Sequence, residues 1–185
     1  MANCTTSNEN ELLQAILDQE IASFDRLQQV IQAIGAEAAA AACSCGFGYF
    51  YNLEVSDTVA IGAPFPFDTD GPFTSAQFLH TASPTPATSA PITIVQAGTY
   101  EVQYTATVAE ARQIALYLNG AVVAGTIYGQ ATGTAVTTGV AIITAAAGDL
   151  LTLRNHLSAA ALTLVTPSGG TASNTTNSLL IKKIA

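Results

Sequence analysis

The chain has 185 residues, of which 49% are hydrophobic and 10% are charged, and its formal net charge is −8. This length allows one ordinary domain with an appendage, and the composition is too apolar for a disordered protein. The negative charge and the lack of a basic cluster argue against nucleic acid as a partner, and the uncharged apolar runs are too short to cross a membrane.

The first predicted element is an amphipathic helix within residues 10–34. Large apolar residues recur there at alternating steps of three and four, and Ile16, Ile21 and Val30 widen the stripe, which favours a bundle of three or more helices. A lone helix of this length is marginal in water, so the stripe must pack on something. In one alternative the helix packs on its own domain. In the other it forms an oligomeric interface through Leu13, Leu17, Phe24, Leu27, Ile31 and Ile34.

Gly35 ends the clean helical pattern, and the small-residue run AEAAAAACSCG after it indicates a connector. All three cysteines, Cys4, Cys43 and Cys45, lie in the first quarter of the chain, and an odd number at one end favours cross-links between chains. The N-terminus MANCTTSNENELL lacks the parts of a secretory signal, so we expect no export by that route. The predicted division is 1–45 for a helical stalk and 46–185 for a head.

From Phe47 onwards the apolar pattern changes to a period of two, and nine segments between turn residues predict β-strands. The Asn119–Gly120 pair is the strongest hairpin signal, and SPTPATSAP predicts a surface connection. With no further helical pattern, the head is predicted to be an antiparallel sandwich or jelly roll. Its low charge favours packing against copies of itself, because sheet edges must be covered.

The candidate chemical groups do not form a recognisable catalytic or metal-binding pattern. His80 and His156 lie outside metal-ligand spacings, and Asp149, His156 and Ser158 lack the G-x-S-x-G context of a serine hydrolase. The segment PFDTDGP has two aspartates, but a turn explains them better than half of a calcium loop. We therefore predict no enzyme activity, no metal and no cofactor.

The order of motifs in the head resembles the C-terminal domain of collagen-like glycoproteins that coat Bacillus-type spores. The segments that carry the resemblance are FGYFYN, PFPFDTDGP, AGTYEVQYT, ALYLNGAVVAGTIYG, AAGDLLTLRNHLSAAALTL and SLLIKKIA. The resemblance implies a trimeric, tumour-necrosis-factor-like or complement-like jelly roll on the spore surface, made in the mother cell without a secretory signal. The Gly-X-Y collagen tract of that family is missing, and the helical stalk stands in its place.

These observations together predict a structural subunit of a spore surface or spore appendage, with an N-terminal helical stalk before the jelly roll. Its predicted partners are copies of itself, as a homotrimer and as an end-to-end fibre joined through Cys4, and other spore-coat proteins. In the rival arrangement Cys43 and Cys45 bond within one trimer and Cys4 attaches to another coat protein. The alternative function is a receptor-binding or carbohydrate-binding tip of a fibre, although the chain has no tryptophan for stacking on sugars.

Overall fold

The structure is a computed structural model that describes residues 5–41, 46–53, 58–83, 85–133 and 135–185. Within the N-terminal helix it describes the side chains of residues 11–33. The chain divides into two compact units, Met1–Cys43 and Ser44–Ala185. The first unit is helical, and the second is built from β-strands.

The helix α1 covers Thr5–Ala41, which is 37 residues, or about 55 Å at 1.5 Å per residue. It continues through Gly35, where the regular apolar pattern ends, and includes the alanines of the segment predicted as a connector. A single interior glycine costs about 1 kcal/mol, and the alanines that follow it are the strongest helix formers. Among the described residues, no helix combines the length and the hydropathy that crossing a membrane requires.

The second unit contains one short helix, α2 (Pro86–Ser89), which lies within the predicted surface connection. The strands are β1 (Phe47–Asn52), β2 (Thr58–Val59), β3 (Thr69–Phe73), β4 (Phe78–Leu79), β5 (Ile92–Ile94), β6 (Gly98–Thr107), β7 (Arg112–Leu118), β8 (Ala121–Val122), β9 (Tyr128–Gln130), β10 (Val136–Ala145), β11 (Leu150–Asn155), β12 (Leu162–Thr163) and β13 (Asn177–Lys183).

The strands form two main antiparallel sheets. The five-stranded sheet has the order β10-β6-β13-β1-β3, and the six-stranded sheet has the order β4-β5-β11-β7-β8, with β9 also paired to β7. A third, small sheet pairs β12 with β2. Strands distant in sequence are neighbours in both main sheets, as in the predicted antiparallel sandwich.

The core lies between the two main sheets, because every second side chain of each strand points inward. The rings of Phe78 and Tyr100 meet edge to face across the sandwich with centroids 5.7 Å apart. The Tyr104 hydroxyl donates a 2.6 Å hydrogen bond to the Thr126 carbonyl, which ties β6 to the segment before β9. Fully buried aliphatic side chains fill the remaining space: Ile92, Ile94, Val102, Ile114, Leu116, Leu151, Leu153, Leu179 and Ile181.

The predicted Asn119–Gly120 hairpin is confirmed, since β7 pairs with β8 around it. Both turn residues have positive φ, 51° for Asn119 and 81° for Gly120, as a two-residue turn of this sequence requires. The strand predicted for AVVAGTIYG is instead two short strands, β8 and β9. Gly125, with φ of 79°, lies in the turn that separates them.

Candidate functional site

The outward face of the five-stranded sheet carries an unusual number of exposed apolar side chains. On β10, alternate residues Val136, Val140 and Ile142 are 59%, 50% and 69% exposed. On β1, Phe47 is 46% exposed, and Tyr49 and Tyr51 are half-buried. We call this surface the β1–β10 face.

Strand register aligns these side chains in rows across the sheet. One row runs from Tyr49 to Leu180, Gln103 and Val140, and each residue is the direct cross-strand partner of the next. A second row runs through Phe47, Lys182, Glu101 and Ile142. Aromatic rings therefore lie on the β1 side of the face and aliphatic side chains on the β10 side.

The polar groups of the β1–β10 face are mostly paired with one another. Lys182 and Glu101 form an exposed ion pair at 3.9 Å, and the Gln103 amide donates to Glu101 at 2.9 Å. The hydroxyls of Thr105 and Ser178 are 2.7 Å apart and share a hydrogen bond. The opposite charges of Lys182 and Glu101 balance, so this pair adds no net charge to the face.

The aromatic segment FGYFY, now strand β1, had suggested packing against other copies, but sequence reasoning missed the β10 side of the β1–β10 face. Its signal is present in VTTGVAIITA, the segment of β10, where apolar residues occupy both sets of alternating positions. A strand with one solvated face would carry polar residues at every second position. The outward valines and isoleucine thus depart from that pattern.

The helix contains the interface residues that the heptad-like pattern predicted. Leu13, Leu17, Phe24, Leu27 and Ile31 are each at least half exposed within the single chain. They lie at steps of three, four and seven, so they share one face of α1. Ile34 lies in the helix, but its side chain is outside the described residues, as are Cys4, Cys43 and Cys45.

His80 and Asp70 form an ion pair that sequence reasoning did not foresee. Asp70 lies in β3 instead of the predicted turn, and its carboxylate is 2.5 Å from His80 Nδ1. The other ring nitrogen, Nε2, is 2.7 Å from the carbonyl oxygen of Ser89. The His80 side chain is fully buried, and its ring packs on Phe50 with centroids 4.7 Å apart. The Ser89 carbonyl oxygen can only accept, so Nε2 donates to it, and the two contacts of the ring connect β3 to α2.

We expect His80→Ala to lower the free energy of unfolding by about 3 kcal/mol. The substitution leaves the Asp70 carboxylate and the Ser89 carbonyl without this hydrogen-bond partner, and it leaves a cavity. This is the lower end of the range for a broken buried pair, since Asp70 is 27% exposed. Guanidinium denaturation at matched protein concentration measures the difference. The control is His156→Ala, which removes one hydrogen bond from Tyr117 and should cost about 1 kcal/mol. Equal losses would contradict a structural role for the His80 pair.

Asp149, His156 and Ser158 have separate partners and do not form a catalytic relay. The Asn119 amide and the Ala146 N–H donate to the Asp149 carboxylate and lower its pKa. The Tyr117 hydroxyl is 2.6 Å from His156 Nδ1, and Ser158 bonds the backbone of Gln113. Within the part of the chain that the structure describes, no three His, Cys, Asp or Glu residues are grouped as metal ligands would be.

Comparisons with known proteins identify the class of fold. No family model matches this sequence, and no curated protein matches it. Among solved structures, the chain is similar to the Eiger TNF of S. frugiperda, with 17% identity and a TM-score of 0.52 over 76% of this chain and 93% of that one. It is also similar to the globular domain of zebrafish complement 1qA, with 9% identity and a TM-score of 0.50 over 74% of this chain and 94% of that one.

These similarities show a jelly roll of the tumour-necrosis-factor and complement C1q type, preceded by an N-terminal helix. The predicted fold class, mainly β and antiparallel with a helical N-terminus, is therefore confirmed. At this level of identity the comparison defines the fold and leaves the function to be argued from the surfaces of the molecule.

Proposed function

We propose that this chain is a structural, non-enzymatic subunit that forms a homotrimer through the β1–β10 face and the apolar face of α1. The observation that carries the proposal is the β1–β10 face itself, with exposed Val136, Val140 and Ile142 on one side and Phe47 and Tyr49 on the other. Each large apolar side chain removed from water contributes about 1.5–3 kcal/mol. Exposed apolar groups of this size on one sheet are typical of an interface.

The placement of the two groups favours a closed ring over a twofold dimer. In a ring, the aliphatic β10 side of one copy can pack on the aromatic β1 side of the next, and the same contact repeats around the axis. The stacked pair Tyr49 and Tyr51, with centroids 5.3 Å apart, gives a flat apolar platform for that contact. The width of the α1 stripe favours three or more helices, in agreement with a trimer.

We propose the spore surface, as exosporium or appendage, as the location of this trimer. The support is the order of sequence motifs from FGYFYN to SLLIKKIA that resembles spore-coat glycoproteins. The jelly-roll fold agrees with that resemblance, and the helix takes the place of the collagen tract. Other spore-coat proteins are proposed as further partners.

Sedimentation equilibrium of the full chain from nanomolar to micromolar concentration tests the oligomeric state. A mass of three times 18.9 kDa is expected, and a monomer mass at micromolar concentration would contradict the proposal.

Immunogold labelling of intact spores with an antibody to the head tests the location. Labelling confined to the cell interior would contradict a surface role without affecting the trimer.

We further propose that trimers join end to end through Cys4. The residue lies at the N-terminus of a chain whose helix is about 55 Å long, whereas Cys43 and Cys45 lie just beyond the helix's last residue, Ala41. A disulfide requires Cα atoms within about 7 Å, so a bond from Cys4 across that length needs another molecule. Such bonds persist once the protein leaves the reducing cytoplasm.

Non-reducing gels of the purified protein test this joint. The wild type is expected to show a ladder of species beyond the trimer, and Cys4→Ser is expected to abolish it. The matched control is the double variant Cys43→Ser with Cys45→Ser. If the ladder survives Cys4→Ser and disappears in the double variant, the cysteines at the base of the helix form the links instead.

A further inference from the structure

The outward face of the six-stranded sheet contains a small cleft with a positive charge at its wall. The cleft has a volume of about 190 Å³ and is lined mainly by apolar groups, with Pro64, Ala90, Pro91 and Leu150 beside Thr152 and Arg154. The turn at Asn119–Gly120 borders it as well. The cleft lies on the sheet opposite the β1–β10 face, so the proposed trimer leaves it accessible.

Arg154 is held in a defined position by three neighbours. Its Nε donates to the Thr152 hydroxyl at 3.0 Å, and its Nη1 donates to the Gly62 carbonyl at 3.4 Å. The guanidinium carbon lies 5.0 Å from the centre of the Tyr117 ring, which is within cation–π range. The Tyr117 hydroxyl is fixed in turn by its 2.6 Å contact with His156. The guanidinium is therefore oriented before any ligand arrives.

The charge of Arg154 is not neutralised by the protein. Among the described residues Arg154 makes no ion pair, and its Nη2 donates no hydrogen bond to them. Of the other cations of the head, Lys182 pairs with Glu101, Lys183 donates to the Gln96 amide, and Arg112 is enclosed by three carbonyls and the Thr137 hydroxyl, outside the cleft. In a chain with a net charge of −8, an unpaired and positioned arginine is conspicuous.

We propose that this cleft binds the carboxylate of a small organic acid, with Arg154 as the anchor and the prolines and Leu150 around the apolar body of the ligand. A guanidinium presents parallel N–H donors that match a carboxylate, and it stays charged at all physiological pH values. Apolar walls strengthen such a contact by excluding water. The volume is below the roughly 300–1,000 Å³ of sites for drug-sized ligands, which limits the ligand to a small acid.

Saturation-transfer NMR on the full chain tests the site with benzoate as the probe and benzyl alcohol as its uncharged match. Benzoate is expected to receive saturation from the cleft and to bind at least about tenfold more tightly than benzyl alcohol, the difference that one charge-assisted contact of 1.4 kcal/mol provides. Arg154→Gln is expected to reduce benzoate affinity by the same factor or more. Lys183→Gln, which removes a cation from the other sheet without breaking an ion pair, should leave it unchanged.

The proposal would be overturned by wild-type protein that shows no saturable benzoate signal, or by benzoate affinity that is equal in the wild type and in Arg154→Gln. Leu150→Asp is a second, independent variant that tests the cleft even where Arg154→Gln has a folding defect. Leu150 is 44% exposed, so the substitution is tolerated by the fold, yet it places a carboxylate in the cleft. Loss of benzoate binding in Leu150→Asp with an unchanged melting temperature supports the site, and retained binding contradicts it.

Discussion

Replacing Phe24 with alanine is expected to weaken self-association by about 3 kcal/mol at each site, the cost of truncating a buried phenylalanine. Phe24 is 60% exposed in the single chain and lies in the middle of the apolar face of α1. In a trimer the substitution removes three rings from one layer of the seam, where the individual losses are not additive. Sedimentation equilibrium should show dissociation at far higher protein concentrations than in the wild type.

The control for Phe24→Ala is Gln29→Ala, an exposed polar position about 140° around the helix from Phe24. Gln29→Ala raises the helix propensity slightly and should leave the mass of the oligomer unchanged. A lower melting temperature with an unchanged dissociation equilibrium would mean that α1 packs on its own domain. No change in either quantity would mean that Phe24 is not in a packed seam.

The fold class was predictable because two local signals agree with the long-range structure. The period-two pattern of TYEVQYTATVA places Tyr100, Val102 and Tyr104 on one side of β6, and all three are buried in the core. The Asn119–Gly120 pair specifies its turn through positive φ at both residues. Neither signal depends on which strand lies beside which.

The short elements were not predictable from pattern alone. Strands β4 and β5 have two and three residues, too few for a periodicity to show. Strand β3 contains Asp70, Gly71 and Pro72, residues that normally indicate a turn, and it pairs with β1 through an irregular register. The helix passes Gly35 because the alanines after it offset the cost of one glycine.

The candidate sites depend on contacts between segments far apart in sequence. The row from Tyr49 to Val140 crosses four strands whose order is set by the jelly-roll topology. Arg154 is 34 positions after Gly120 and farther still from Pro91, yet all of them border one cleft. The helical interface could be predicted since it repeats along one local element, whereas the head surfaces required the tertiary structure.

Replacing Ile142 with aspartate is expected to abolish association through the head while leaving the jelly roll folded. Ile142 is 69% exposed in the single chain, so the monomer loses almost no buried surface. In the proposed trimer each new carboxylate would enter an apolar contact without a partner, at a cost of several kcal/mol per site. Its cross-strand partner in the same chain is Glu101, so like-charge repulsion also lowers the stability of the monomer slightly. Light scattering measures the mass, and circular dichroism checks the strand content.

Val122→Asp is the matched control for Ile142→Asp, since Val122 is a β-branched residue, 43% exposed, on β8 of the other sheet. It introduces the same charge into a strand of the head but lies outside the β1–β10 face. If only Ile142→Asp reduces the mass, the five-stranded sheet contains the interface. If both variants stay trimeric and keep the wild-type dissociation midpoint, the heads do not associate through that sheet. The trimer would then depend on α1 alone, and Phe24→Ala would give monomers.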